Sequence, residues 1–157
     1  MEKEFSRRSF LKVGTTAALG LAVAPSMLMG RSKKKDAAPK PLDRKLKVLG
    51  VGIGGRGASV LKELETEEII GLCDVDWKYA AHVFERYPNA KRYNDYKVMY
   101  AELLNEADAV VVATADHTHA IIAAEAIVAG KHVYVEKPLT HTVYESRLLT
   151  KLAAKHK

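Results

Sequence analysis

Eight residues, "GVGIGGRG" (50–57), constrain the fold of this chain more than any others. They follow a short apolar run, 46–52, that reads as a strand. They precede "SVLKELE" (59–65), which sets Val60, Leu61 and Leu64 on one helical face. Two registers fit a Gly-x-Gly-x-x-Gly pattern: Gly50/Gly52/Gly55 and Gly52/Gly54/Gly57. The second is the better, because it leaves the run Val48 to Val51 to complete the strand. In that register Gly52 permits the tight turn and Gly54 lets backbone N–H groups approach a pyrophosphate. Gly57 lets the helix pack close to the sheet. The positive end of the helix dipole adds to the attraction for a bound anion.

A glycine loop alone is also compatible with a plain strand–helix turn. The context supports a ligand. Asp74 ends the second apolar run, "EIIGLCD" (68–74), 22 positions after Gly52. A carboxylate at that distance can accept hydrogen bonds from the adenosine ribose hydroxyls. It would repel a 2′-phosphate, and Val75 and Asp76 bring no compensating arginine. The expected cofactor is therefore NAD in preference to NADP.

The rest of the folded part repeats the strand–helix alternation. "DWKYAAHVFERY" (76–87) has helical spacing with Asp76 as N-cap. "AKRY" (90–93) is a weak strand, and "YKVMYAELL" (96–104) a helix capped by Asn94 or Asp95. "DAVVVAT" (108–114) is the unbroken apolar run of a strand buried on both faces. A helix over 118–129 stops at Gly130, and "HVYVEK" (132–137) is a fifth strand. Thr142 and Glu145 form a capping box opening a last helix that puts Tyr144, Leu148 and Leu152 on one stripe. This order predicts an α/β fold with a doubly wound parallel sheet.

The N-terminal residues are of another kind. Arg7 and Arg8, in "SRRSFLK", precede a stretch without charge, 13–30, which together read as a bacterial twin-arginine export signal over 1–30. Ala22-Val23-Ala24 has the small-x-small form of a cleavage site, but Pro25 follows directly. Two outcomes stay open: removal, or retention as a membrane anchor. Residues 31–45 read as a Lys- and Pro-rich linker, and 46–157 as the folded domain.

Composition matters here for two exclusions. Residues 1–47 hold 12 Lys/Arg and 4 Asp/Glu, a charge of +8, so the remainder carries −2 of the chain's +6. The basicity belongs to the targeting segment, and the domain offers no footprint for nucleic acid. Cys73 is the one cysteine, so no intrachain disulfide forms, which suits a protein that folds in a reducing compartment before export. His117 and His119 lack the further ligands a metal site needs, and none is expected.

Two more segments end at strand termini, "ATADHTH" (113–119) and "EKP" (136–138). Taken with "GIGGRG" (52–57), "LCDVD" (72–76), "YNDY" (93–96) and "AGKHVYVEKPL" (129–139), they resemble the N-terminal Rossmann domain of the Gfo/Idh/MocA oxidoreductases. Ala115 stands where that family usually has proline. The resemblance implies that Gly52, Gly54, Arg56 and Gly57 hold the pyrophosphate and Asp74 the ribose. It places Thr114, Asp116, His117 and His119 beside the nicotinamide, with Glu136 and Lys137 at the reaction centre and Lys137 as the catalytic residue.

The family continues into a sixth strand and a C-terminal α/β domain that binds substrate and forms the oligomer interface. Since the chain stops at Lys157, the resemblance implies a truncated product or fragment, inactive alone. For the whole protein it implies a periplasmic or exported enzyme acting on a sugar, cyclitol or polyol, carried by the twin-arginine machinery. An NAD-retaining glycosidase and a non-catalytic nucleotide-binding remnant are the alternatives.

Overall fold

The computed structural model describes residues 43–156. The segment read as an export signal, 1–30, and all but the end of the expected linker lie outside the described residues. Five strands form one parallel sheet: β1 (Lys47–Val51), β2 (Glu68–Cys73), β3 (Lys91–Tyr93), β4 (Ala109–Val112) and β5 (His132–Val135). Their order is β3-β2-β1-β4-β5. The helices are α1 (Arg56–Glu63), α2 (Ala81–Arg86), α3 (Tyr96–Leu103), α4 (His119–Val128) and α5 (Val143–Lys155), with a 3-10 turn at Asp116–Thr118.

Alternate side chains of each strand face opposite sides, and two cores result. On one, Leu49, Val51, Val110 and Val112 meet Met99, Leu103, Ile122 and Ala126 of α3 and α4. On the other, Val48, Leu72 and Val111 meet Leu61, Val83 and Phe84 of α1 and α2. The three consecutive valines of β4 therefore serve both faces, as expected of a doubly wound sheet.

The register decides where function can sit. Val51 pairs with Cys73 and with Val112, and Val112 pairs with Val135. Four strands thus end level, and the loops that follow them emerge along one edge. Ligands bind at that carboxyl edge in open α/β sheets.

Several local readings need correction. Asp76 caps a turn rather than the helix: its Oδ1 accepts from Tyr79 N at 2.9 Å, and regular α2 begins only at Ala81. Trp77 explains the delay, since its indole N–H reaches back to the Tyr93 carbonyl and its ring meets Phe84 edge-on. Of the two caps considered for α3, Asp95 is the one used. The capping box of Thr142 and Glu145 forms. In its helix Leu149 is buried while Tyr144 and Leu148, on the stripe that periodicity picks out, face out. The Ser146 hydroxyl lies 2.6 Å from that of buried Thr140, which fixes the inward face one residue on.

The linker also ends earlier than its composition suggests. Arg44 grips Asp108 through two bonds of 2.6 and 2.7 Å, and Lys47 N donates to the same carboxylate. These donors hold the Asp108 carboxyl well below the usual carboxylate range. A depressed folded-state pKa contributes stability above the unfolded value, about 3.9, that is lost as pH falls below it. Asp108→Asn is expected to melt a few degrees below the parent at pH 7. The gap should close progressively below about pH 4, which thermal melts across that range will check.

Candidate functional site

The glycine loop is built by two backbone demands. Gly52 has φ +76°, and a Cβ there would lie 2.6 Å from Thr114 N. A Cβ on Gly57 would run into the Gly52 carbonyl oxygen. The first and third glycines of the 52/54/57 register are thus required by close approach. Gly54 serves differently: the space its missing Cβ leaves is filled by the Tyr79 ring.

Asp74 is the loop's anchor. Its Oδ2 accepts from Ile53 N at 2.8 Å and Gly54 N at 3.0 Å, and its Oδ1 accepts from Asp76 N at 3.0 Å. Three of the roughly four acceptor positions of a carboxylate are used. The fourth remains for a ligand hydroxyl, since Asp74 also lines the adjoining cleft.

That cleft has a volume of ≈ 940 Å³ and runs along the carboxyl ends of β1, β2 and β4. It falls within the ligand-site range of about 300–1,000 Å³. Gly52, Gly54, Asp74, Thr114 and His117 all line it. So do residues not expected at a ligand site, among them Tyr79, Asn94, Tyr96 and Thr118. The "YNDY" segment was the available signal for Asn94 and Tyr96. Nothing in the sequence marks Tyr79, whose place follows from the Asp76 turn. The Thr118 hydroxyl donates to the Ala115 carbonyl at 2.8 Å and lies 2.7 Å from the Thr114 hydroxyl, which orders this wall.

Cys73 also lines the cleft, but as an inert group. Burial pushes its thiol up to about 12, with the Asp74 charge adding to the effect. A thiolate is the reactive form, so Cys73 is not placed to act as a nucleophile.

The remaining site residues lie outside the cleft lining. Arg56, expected at the pyrophosphate, pairs with Glu136 through Nε–Oε1 at 3.0 Å. The Tyr134 hydroxyl donates to the same oxygen at 3.0 Å, and Lys137 N donates to Oε2 at 3.1 Å. Arg56 first, and then the Lys137 N–H, lower the Glu136 pKa and keep it a carboxylate. Lys137 and Asp116 are exposed, and the Lys137–Pro138 peptide bond is cis. His119, expected beside the nicotinamide, is 1% exposed with both ring nitrogens engaged by backbone carbonyls. It can act on a ligand only through other residues.

The donor set suits an NAD-sized ligand: a glycine turn against a helix N-terminus, a partly free carboxylate on β2, and a threonine wall on β4. Comparisons with known proteins agree. The family described as an oxidoreductase family with an NAD-binding Rossmann fold, GFO_IDH_MocA, matches residues 45–157. The alpha-N-acetylgalactosaminidase of Shewanella oneidensis is 32% identical over 88% of the chain and 35% of its own length. Among solved structures, the WlbA dehydrogenase of Chromobactrium violaceum, in complex with NADH and UDP-GlcNAcA, is 29% identical with a TM-score of 0.64. That match covers 75% of this chain and 34% of WlbA. KijD10, a 3-ketoreductase from Actinomadura kijaniata in complex with TDP-benzene and NADP, is 25% identical with a TM-score of 0.59, over 72% of this chain and 36% of its own. The chain spans about a third of the length of these proteins.

The two loop glycines nearest α1 should behave oppositely. Gly57→Ala drives its Cβ into the Gly52 carbonyl oxygen, at a cost of about 1–3 kcal/mol. A Cβ on Gly55 meets only the movable Tyr79 hydroxyl, at 3.2 Å. Thermal melts should therefore show a marked drop for Gly57→Ala and almost none for Gly55→Ala.

Proposed function

This chain belongs to the Gfo/Idh/MocA oxidoreductase family. On that premise we propose that it supplies the NAD-binding domain of an exported protein that moves hydride to and from a sugar, cyclitol or polyol. The observation that carries the reading is the Asp74 carboxylate, bonded to the glycine loop and open to the same cleft.

Gly52, Gly54 and Gly57 with the N-terminus of α1 would hold the pyrophosphate. Asp74 would take the ribose hydroxyl and disfavour a 2′-phosphate, so NAD is preferred. Thr114 and His117, on the β4 side of the cleft, would border the nicotinamide end. Bound there, NAD supplies an acceptor or donor of hydride. The chain's own part in the reaction falls to Lys137, a positioned cation that polarises the substrate hydroxyl and helps move its proton. Glu136, kept ionised, fixes the turn on which Lys137 stands.

Arg7 and Arg8 fit this reading. Twin-arginine export carries folded cargo, and NAD is made in the cytoplasm. An exported protein that uses NAD must leave with its cofactor already bound, and must regenerate it within each cycle.

The similarity to a curated alpha-N-acetylgalactosaminidase favours a second reading, in which hydride leaves a sugar and returns to it during glycoside cleavage. Release of sugar from an aryl glycoside without net NADH would support it. Accumulation of NADH with an oxidised sugar would support the dehydrogenase.

Calorimetric titration tests the cofactor assignment. NAD should bind this chain more tightly than NADP. Asp74→Ala should weaken NAD binding through the loosened loop and also lower the NAD-to-NADP affinity ratio. Equal affinity of the unsubstituted chain for the two cofactors would overturn the assignment.

A further inference from the structure

His119 opens α4 at the carboxyl edge of the sheet, yet it is 1% exposed. Its Nδ1 lies 2.8 Å from the Pro138 carbonyl oxygen, and its Nε2 lies 3.0 Å from the Thr114 carbonyl oxygen. A carbonyl oxygen only accepts, so whichever ring nitrogen carries the N–H donates to the carbonyl beside it, and the tautomer decides which of the two that is. The two partners belong to different parts of the site. Thr114 follows β4 and packs against the Gly52 turn. Pro138 directly follows Lys137. One buried ring therefore spans from the wall of the cofactor cleft to the turn that carries the exposed lysine.

The same turn is held on its other side. Glu136 is 6% exposed and receives Arg56 from the start of α1, Tyr134 from β5, and the N–H of Lys137 itself. Lys137 is thus flanked by two fixed residues, Glu136 before it and Pro138 after it. Arg56 is well exposed, whereas His119 is sealed from water. A hydrogen bond in a dry setting is the more costly to leave unmade.

We propose that His119 is a positioning residue: it fixes Lys137 relative to the cleft by tying the Pro138 carbonyl to the Thr114 carbonyl, and it touches neither cofactor nor substrate. The purpose of the tie rests on the role given above to Lys137. The tie itself needs no cofactor, and its test is run without one, so failure here is distinguishable from failure of the NAD assignment.

The test is amide hydrogen exchange in the full 157-residue chain, resolved at single residues. The reporter is the Lys137 N–H, bonded to Glu136 Oε2. The reference is the Val111 N–H in the central strand β4. His119→Leu removes both ring nitrogens, and Lys137 exchange should rise about tenfold or more while Val111 stays protected, as local opening requires. His119→Asn keeps a donor near the Nδ1 position and should restore most of the Lys137 protection. Unchanged Lys137 exchange in a folded Leu variant would overturn the proposal. So would Lys137 and Val111 rising together, since that marks a general loss of stability. If the Leu variant does not fold, the Asn variant decides: protection retained at Lys137 supports the tie, and protection lost there with Val111 intact refutes it.

Discussion

The Asp74 carboxylate does for this site what no single glycine can. The loop after β1 must turn sharply at Gly52, and its next two amides, Ile53 and Gly54, point toward the end of β2. A carboxylate there satisfies both, and a third bond to Asp76 N fixes the start of the next loop. Charge-assisted bonds of this kind are roughly twice as strong as neutral ones. Because β1 and β2 are in register at Val51 and Cys73, the two loops are brought within reach of each other without strain at the strand ends. The glycine turn, the cleft and the carboxylate that faces it are then one arrangement.

A second set of constraints holds the other end of the edge. Arg56 begins α1, directly beyond the glycine loop, and its side chain crosses to Glu136 after β5. His119 ties the same turn to β4. The glycine loop and the Lys137 turn are therefore linked through side chains as well as through the sheet. The sheet sets the level of the loops, and these bonds set their separation.

The parts of the fold that could be read in the sequence are those whose signal is local. Three consecutive valines in β4 announce burial on both faces, Thr142 and Glu145 announce a helix start, and Gly52 and Gly57 fall in the better of two Gly-x-Gly-x-x-Gly registers. The parts that could not be read depend on partners far along the chain. Arg56 reads as a phosphate ligand, and its bond to Glu136, 80 residues on, has no local signal. His119 reads as a cleft residue, and its burial between the Pro138 and Thr114 carbonyls has no local signal. The face of α5 is chosen by the Thr140–Ser146 contact, which helical periodicity does not contain. Asp74 is the mixed case: its position was legible, but its hold on the loop amides was not.

The central claim is that the glycine loop, Asp74 and the end of β4 form one NAD site. Amide chemical-shift mapping of the chain during NAD titration tests it most directly. The account predicts saturable shifts concentrated at residues 52–57, 74–75 and 114–118, with β3 and the outer face of α5 unmoved. Shifts centred elsewhere, or none at NAD concentrations that saturate a dinucleotide site, would contradict it.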